Sequence, residues 1–175
     1  MKHRLLLLRH AKSSHKDKAL ADYDRPLATR GRKDCRRVGK WLANAGMKPD
    51  LVISSPARRA SQTAKKVVKH VDISPSSIQW EEKVYDANLK ALLKLLADVS
   101  EDIGSVMLVG HHEGMESIIL RLINWSDIPA DPKLIPTGAI AWLEFEGSWA
   151  DLKKCKDQLK TIVRPRDLAE HPDYA

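Results

Sequence analysis

Cysteine is scarce in this 175-residue chain, which has only Cys35 and Cys155, far apart in the sequence. Neither stands in a spacing typical of zinc ligands, so we expect no disulfide framework and no structural metal, as in a protein of the reducing cytoplasm. Long apolar runs are also missing, because no stretch approaches the roughly 20 residues that cross a bilayer. The N-terminal run of leucines is too short for a signal peptide, so we expect no export and no membrane partner.

Aromatic residues make up only 5% of the chain, whereas basic residues exceed acidic ones and give a net charge of +7. The basic residues are concentrated in the first half, for example Arg30, Arg36 and Arg37. Such a surplus suits nucleic acid, an acidic protein or phosphate chemistry. Single-stranded nucleic acid is commonly bound on aromatic platforms among basic residues. Only Trp41 lies near these residues, and its helical spacing places it in the core, so nucleic-acid binding is disfavoured.

Short apolar runs alternate along the chain with stripes of helical period. The pattern predicts five strands, of which the fifth is the last, over residues 3–9, 51–53, 78–82, 105–109 and 140–145. Helices are predicted between strands, the first from an N-cap at Thr29 to about Ala45. This alternation favours a three-layer α/β/α sandwich with a mostly parallel central sheet. Without a linker, repeat or low-complexity segment, the chain is predicted to form one domain over residues 1–175.

Polar side chains, most of them hydrogen-bond donors, follow three of the predicted strands. They are Arg9-His10 after the first strand, Ser54-Ser55 with Arg58-Arg59 after the second, and Gly110-His111 after the fourth. Because the carboxyl ends of parallel strands meet at one edge of a sheet, we expect these imidazoles and guanidiniums to converge on one cleft. Cationic groups without nearby carboxylates repel one another unless an anion joins them. Phosphate is the natural anion, since it is tetrahedral, doubly charged and well matched to arginine.

A metal site is the competing interpretation of the histidines. His111, His112 and Glu113 are consecutive, and adjacent side chains cannot easily turn toward one ion. The helical pattern His-Glu-x-x-His is absent, and a cluster of arginines would repel a cation. The sequence therefore predicts no metal ligand and no cofactor.

Three motifs stand in a distinctive order and spacing: residues 9–12 (RHAK), 54–64 (SSPARRASQTA) and 109–111 (VGH). Residues 24–27 (DRPL), Gly31 and residues 136–139 (PTGA) extend the pattern over nearly the whole chain. Together they resemble the histidine phosphatase superfamily, the phosphoglycerate mutase-like proteins, and more closely its short bacterial phosphohistidine phosphatases. The resemblance implies the phosphoglycerate mutase-like fold.

The resemblance also implies a role for each member of the predicted cluster. His10 matches the nucleophile that takes the phosphoryl group and becomes phosphohistidine, and Arg9 matches a phosphate clamp. Arg59, rather than Arg58, matches the arginine of the second motif. His111 matches the second imidazole of the active site, which binds the transferred phosphoryl group.

Neighbouring residues receive less specific predictions. Ser55 and Thr137 belong to matching segments and are predicted to contact the substrate. Arg58 is interpreted as a surface charge beside Arg59. For His112, a structural role and a substrate-facing role both stay open, because adjacent side chains diverge.

Two departures from the family pattern bear on the expected cleft. Ala11 stands where many members have glycine, a change common in the short subgroup. The stretch between Arg59 and His111 leaves no room for a large cap insertion, so the cleft should be open. Asp86 is the nearest candidate for a general acid, but we favour the alternative that it is the N-terminal charge of the following helix.

The leaving group that suits such a cleft follows from its expected chemistry. An alcohol leaves phosphorus as a poor alkoxide and needs a proton donor, whereas imidazole, whose conjugate acid has a pKa near ~6.5, leaves readily. We therefore predict a cytoplasmic protein phosphohistidine phosphatase that works without a cofactor through a covalent intermediate. Its partner would be an acidic phosphoprotein such as a histidine-phosphotransfer domain, with phosphate or another oxyanion in the site. The alternatives are a small-molecule phosphomonoesterase of the same superfamily and a non-catalytic module that binds phosphate or nucleic acid.

Overall fold

The computed structural model describes residues 2–124, 133–155 and 159–174. The strands within these ranges are β1 (Lys2–Arg9), β2 (Leu51–Ser54), β3 (Gln79–Trp80), β4 (Ser105–Gly110), β5 (Ile140–Glu146) and β6 (Leu159–Val163). The α-helices are α1 (Thr29–Asn44), α2 (Arg58–Val68), α3 (Leu89–Ala97), α4 (His112–Leu122) and α5 (Pro165–Ala169). No described helix is long and apolar enough to cross a lipid bilayer.

The strands form one sheet in the order β3-β2-β4-β1-β5-β6. The first four strands of the chain pair in parallel with one another, while β5 pairs antiparallel with β1 and β6 pairs antiparallel with β5. Helices cover both faces of this sheet, so the predicted three-layer architecture with a mostly parallel sheet is confirmed.

The central strand β1 explains why a run of leucines opens the chain. Leu5 and Leu7 pack in one hydrophobic core with α3 and α4, and Leu6 and Leu8 pack in the other with α1 and α2. All four side chains are fully buried. A strand covered on both faces needs apolar residues at every position, and the change to Arg9 and His10 marks its exit from the core.

Two details differ from the sequence prediction. The strand over residues 140–145 is not the last, because β6 follows it as an edge strand. The side chains of β6 are only partly buried, so its apolar residues are a weak sequence signal for a strand. The N-cap of α1 is Ala28 rather than Thr29, and no side chain caps the helix. The Ala28 amide instead donates to the Lys12 carbonyl oxygen at 2.9 Å, which holds the start of α1 against the end of β1.

The segment between β1 and α1 folds back on itself above the carboxyl edge of the sheet. Ser13 and Leu27 form an isolated antiparallel bridge that closes its base. At Gly31, an added Cβ would collide with the carbonyl oxygen of Lys12, so only glycine allows α1 to approach this closely. This close approach places the tip of the segment over the end of β1.

Candidate active site

The ends of the three strands with polar exits lie side by side. The His10 amide donates to the Gly110 carbonyl oxygen at 2.9 Å, and the Ser55 amide donates to the Val109 carbonyl oxygen at 3.0 Å. These backbone bonds continue the pairing of β4 with β1 and with β2 beyond the last strand residues. The side chains that follow β1, β2 and β4 are therefore brought to one edge, as the strand pattern predicts.

His10 is almost fully buried, with 8% of its surface exposed. Its Nδ1 lies 2.9 Å from the Ala11 carbonyl oxygen, which fixes the tautomer with the proton on Nδ1. Burial lowers the pKa of His10 to about 3, aided by the positive charge of Arg59 and opposed by the bond to Ala11. The ring is therefore neutral at pH 7, with its lone pair on Nε2.

Arg59 faces both imidazoles from the first turn of α2. Its Nε donates to His10 Nε2 at 3.3 Å, and its Nη2 lies 3.3 Å from His111 Nδ1. Its other bonds go to Asp22: Nη1 donates to the carbonyl oxygen at 2.6 Å and Nη2 to Oδ2 at 2.9 Å. One guanidinium thus joins both histidines to the segment above the sheet.

His111 stands at the N-cap of α4, and its ring centre lies 5.3 Å from that of His10. Because Nδ1 accepts from Arg59, the ring proton is on Nε2, which donates to Ser55 Oγ at 2.9 Å. Burial lowers the pKa of His111 to about 4, together with the charge of Arg59 and against the opposing charge of Asp22. Ser55 is buried, and its bond orients this imidazole; its predicted contact with the substrate stays a prediction.

Arg9 is the last residue of β1 and precedes His10 in the chain. Its Nη1 donates to the Ile135 carbonyl oxygen at 3.0 Å, and its buried Nε has no hydrogen-bond partner within the described ranges. Its positive charge contributes to lowering the pKa of both His10 and His111. Arg9 does not line the cleft, so its role as a direct phosphate clamp stays a prediction.

The cleft in front of these groups has a volume of about 240 Å³. Its lining residues come from the ends of β1 and β4, the start of α2 and α4, and the segment before α3: His10, Arg59, Val84, Tyr85, Asp86, Ala87, His111, His112, Glu113 and Gly114. The described residues contain no group of three or more histidines, cysteines or acidic side chains that could hold a metal ion. The polar groups of the cleft include the Arg59 guanidinium and the imidazoles of His10 and His111.

Asp86 lies on the cleft wall and outside α3. The N-cap of α3 is Asn88, whose side chain accepts from the Ala91 amide, and the first turn of the helix has no acidic residue. The favoured interpretation of Asp86 as a first-turn charge of this helix is therefore wrong, because the chain turns into the helix two residues later. Its role as a general acid stays a prediction.

The three remaining candidate residues, His112, Arg58 and Thr137, lie in different places relative to the cleft. His112 lies on the cleft wall and pairs with Glu116 through an Nε2–Oε2 distance of 2.7 Å. Arg58 is exposed, and among the residues that the structure describes its side chain bonds only to the Asp24 carbonyl oxygen, at 3.4 Å. Thr137 does not line the cleft; it stands in a turn whose Gly138 amide donates to the carbonyl oxygens of residues 9 and 10.

Asp22 and Tyr85 are functional candidates that the sequence pattern did not indicate. The carboxylate of Asp22 accepts from Arg25 at 2.7 Å, from Arg59 at 2.9 Å and from the Tyr85 hydroxyl at 2.9 Å. Burial disfavours its charged form, but these hydrogen bonds and the charge of Arg59 outweigh burial and lower the pKa of Asp22 to about 2. The one available signal is the match of residues 24–27, which places Arg25 three residues after Asp22.

The low pKa values of the two imidazoles make stability depend on pH. Between about pH 6.5 and 4, the unfolded histidines bind protons that the folded ones do not, so stability falls as the pH falls. At pH 5, His10 and His111 should each cost on the order of 1–2 kcal/mol of unfolding free energy. Thermal unfolding between pH 7 and 5 measures this, and His10→Asn should reduce the acid sensitivity whereas His171→Asn, at an exposed ring, should not. Equal acid sensitivity of His10→Asn and wild type would contradict the expectation.

Comparison with known proteins gives the same family as the sequence motifs. Residues 5–91 match the family described as the histidine phosphatase superfamily (branch 1). An uncharacterized protein of Mycobacterium tuberculosis (strain CDC 1551 / Oshkosh) is 32% identical over 151 residues, covering 83% of this chain and 92% of the relative. An uncharacterized chloroplastic protein of Arabidopsis thaliana is 31% identical over 156 residues, covering 85% of this chain and 69% of the relative.

Solved structures extend the likeness to the fold. A protein assigned as the phosphohistidine phosphatase SixA of Nakamurella multipartitia superposes with a TM-score of 0.78 and 26% identity, covering 94% of this chain and 97% of its own. One with the same assignment from Agrobacterium tumefaciens has a TM-score of 0.76 and 28% identity, with coverages of 93% and 98%. A protein histidine phosphatase SixA complexed with tungstate has the same fold, with a TM-score of 0.77, 21% identity and coverages of 94% and 99%.

Proposed function

Because this chain belongs to the histidine phosphatase superfamily, we propose that it hydrolyses phosphohistidine on a protein through a covalent phosphohistidine at His10. The observation that carries the proposal is the state of the His10 ring. It is buried and neutral, its Nδ1 proton is held by the Ala11 carbonyl oxygen, and its Nε2 points toward Arg59. The Nε2 lone pair, which accepts from Arg59 Nε at 3.3 Å, therefore carries no proton at neutral pH, as a nucleophile requires.

In the first step, the Nε2 lone pair of His10 forms a bond to phosphorus. The P–N bond of the substrate breaks, and its electron pair stays on the leaving imidazole, which departs neutral because its other nitrogen keeps a proton. The phosphoryl oxygens replace the direct contacts of Arg59 with His10 and His111, and the guanidinium neutralises the charge that spreads over them. Anion binding also raises the pKa of His111, so that its Nδ1 gains a proton and donates to the same oxygens.

In the second step, water attacks phosphorus and the bond to His10 Nε2 breaks. The electron pair returns to Nε2, and inorganic phosphate leaves as dihydrogen phosphate, which keeps both protons of the attacking water. His10 recovers its neutral form with the proton on Nδ1, still bonded to the Ala11 carbonyl oxygen. Hydrolysis is thus the sum of two displacements at phosphorus, each of which requires positioning and charge neutralisation more than acid–base chemistry.

A protein substrate is supported by the surroundings of the cleft. Its small volume accommodates a phosphorylated side chain rather than a large metabolite. The net charge of +7 favours an acidic partner, for which a histidine-phosphotransfer domain is our proposal. The free thiols Cys35 and Cys155 support a cytoplasmic location.

A second candidate function is the hydrolysis of a small phosphomonoester. The observation that favours it is Asp86 on the cleft wall, since a carboxyl group there is placed to protonate an alcohol leaving group. Arg9, Arg59 and His111 would serve the same transferred phosphoryl group in either reaction. The two functions therefore differ in the leaving group alone.

A substrate panel separates the two candidates. We expect kcat/KM for a protein phosphorylated on histidine to exceed that for sugar and nucleotide phosphates by at least about 100-fold, because the imidazole leaves without a proton donor. Addition of EDTA should leave the rate unchanged, since the proposed steps use only side chains of this chain. Preference for an ester would favour the second candidate, and activity lost to EDTA and restored by a divalent cation would overturn the mechanism.

A further inference from the structure

We infer that Asp22 is a positioning residue, which holds the Arg59 guanidinium in the orientation that receives the transferred phosphoryl group. The inference rests on the proposed phosphoryl transfer at His10 but not on the identity of the leaving group. Asp22 stands at the start of a short 3-10 turn over Asp22–Asp24, at the tip of the segment between β1 and α1. It reaches Arg59 across a separation of 37 residues in the chain.

Arg59 presents two different edges to its surroundings. Its Nε and one N–H of Nη2 face His10 and His111, at 3.3 Å each. Its Nη1 and the other N–H of Nη2 face the backbone and side-chain oxygens of Asp22, at 2.6 and 2.9 Å. The long contacts to the histidines lie where phosphoryl oxygens would bind, whereas the short contacts to Asp22 lie on the opposite side. A bound oxyanion therefore replaces the first set and leaves the second intact.

Asp22 is itself held by Arg25 of its own segment and by Tyr85 of the segment before α3. Its Oδ1 accepts from Arg25 Nη2 at 2.7 Å and from Nε at 3.0 Å, and its Oδ2 accepts from the Tyr85 hydroxyl at 2.9 Å. The Tyr85 ring in turn meets the edge of the His111 ring, with centroids 5.3 Å apart and planes at 84°. The carboxylate thus fixes Arg59 relative to both histidines before a substrate arrives.

Preorganisation is the physical reason for such an anchor. An arginine side chain has many rotamers, and ordering it only when substrate binds would cost part of the binding energy. The side chain of Asp22 is 55% exposed, so solvent screens its charge. Its effect depends on the directed, charge-assisted hydrogen bond from Arg59 Nη2 to its carboxylate, beside the bond from Nη1 to its backbone oxygen. An ion pair with this geometry restricts both the position and the orientation of the Arg59 guanidinium.

The test compares two carboxylates of the same turn. Asp22→Asn keeps one acceptor oxygen and removes the charge, and Asp24→Asn is the matched control, since only the backbone carbonyl of Asp24 bonds to another side chain. With p-nitrophenyl phosphate as substrate, we expect Asp22→Asn to lower kcat/KM by about 10- to 100-fold and to weaken inhibition by tungstate similarly. Asp24→Asn should stay within about twofold of wild type, the change that a rim charge screened by solvent produces.

A positioning role and a purely structural one give different readouts. Loss of the Asp22 charge should move the alkaline limb of tungstate inhibition to lower pH, because this charge raises the pKa of His111, whose protonated Nδ1 donates to the bound anion in the proposed mechanism. A merely structural role would lower the melting temperature without this change in the pH profile. Tungstate inhibition that is unchanged in Asp22→Asn would overturn the inference. Stronger inhibition would also overturn it, because it would mean that Asp22 competes with the oxyanion for Arg59.

Tyr85→Phe supplies a second variant if Asp22→Asn does not fold. This substitution removes one hydrogen bond to the Asp22 carboxylate and keeps the ring against His111. We expect kcat/KM to fall by about 2- to 10-fold and inhibition by tungstate to weaken by a similar factor. No effect of Tyr85→Phe would then count against the inference. In both variants, the ratio of the rate on a phosphohistidine protein to the rate on p-nitrophenyl phosphate should equal the wild-type ratio. If the proposed leaving group is wrong, the wild-type protein already shows it by preferring an ester, independently of the effect of either variant.

Discussion

Replacement of His10 by alanine is expected to abolish the phosphoenzyme and to reduce turnover by at least about 1000-fold. The other groups of the cleft, Arg59 and His111, would still bind a phosphoryl group. His111 could not take over as nucleophile, because in the proposed mechanism its Nδ1 gains a proton when the anion binds. Loss of a nucleophile costs far more than loss of one binding contact, because it removes the two-step path altogether. The measurement combines steady-state turnover with trapping of the phosphoenzyme from a phosphoramidate substrate.

The trapping must avoid acid, since the P–N bond of phosphohistidine is labile there, so quenching in alkaline denaturant is followed by intact-mass analysis. His171→Ala is the matched control, because that ring is exposed in the C-terminal part of the chain. Turnover by His10→Ala near the wild-type rate would reject covalent catalysis at this residue. If wild type binds phosphoprotein and tungstate but never forms the phosphoenzyme, the chain is a non-catalytic module.

The second large effect is expected on kcat/KM when Arg59 is replaced, and its neighbour Arg58 serves as the comparison. Arg59→Ala should lower kcat/KM by about 100- to 1000-fold, as loss of a preorganised donor to the transition state does. Arg58→Ala should change it by less than about threefold, because its guanidinium is exposed and reaches only a backbone oxygen of residue 24. Steady-state kinetics of both variants with one substrate gives the comparison directly.

Arg59 is buried, and its removal takes one hydrogen-bond donor away from each of Asp22 and His10. Arg59→Lys therefore accompanies the alanine variant, because it keeps the positive charge and much of the volume. A point charge cannot replace the fork that joins Asp22 to both histidines, so the lysine variant should still lose about 10- to 100-fold. Equal losses for Arg58→Ala and Arg59→Ala would mean that the sequence match assigns the wrong arginine.

Much of this fold was predictable because its signals are local or follow from the topology of the sheet. The leucines of β1 are buried on both faces, which their uninterrupted run indicates. The strand ends carrying His10, Arg59 and His111 meet because parallel strands share their carboxyl edge. Successive side chains of a strand point to opposite faces, which agrees with the absence of Arg9 from the residues that line the cleft beside His10.

Contacts between distant segments were not predictable in this way. The antiparallel pairing of β5 and β6 depends on partners far apart in the chain, and β6 has only a partly buried edge pattern. Asp22 lies in a polar segment without periodicity, where no pattern says which side chain turns toward Arg59. Asp86 looked like the start of α3, but the position of the Asn88 cap decides that it faces the cleft instead.

The sequence by itself determined which chemical groups the protein can bring to a phosphoryl group, and that two imidazoles and an arginine would lie at one edge of a sheet. Only the tertiary structure decided the protonation state of those groups. The neutral His10 depends on its burial and on the carbonyl of Ala11, and the orientation of Arg59 depends on Asp22 in another segment. A pKa and the direction of a guanidinium are set by what surrounds them in space, and that environment is assembled from parts of the chain that have no local pattern in common.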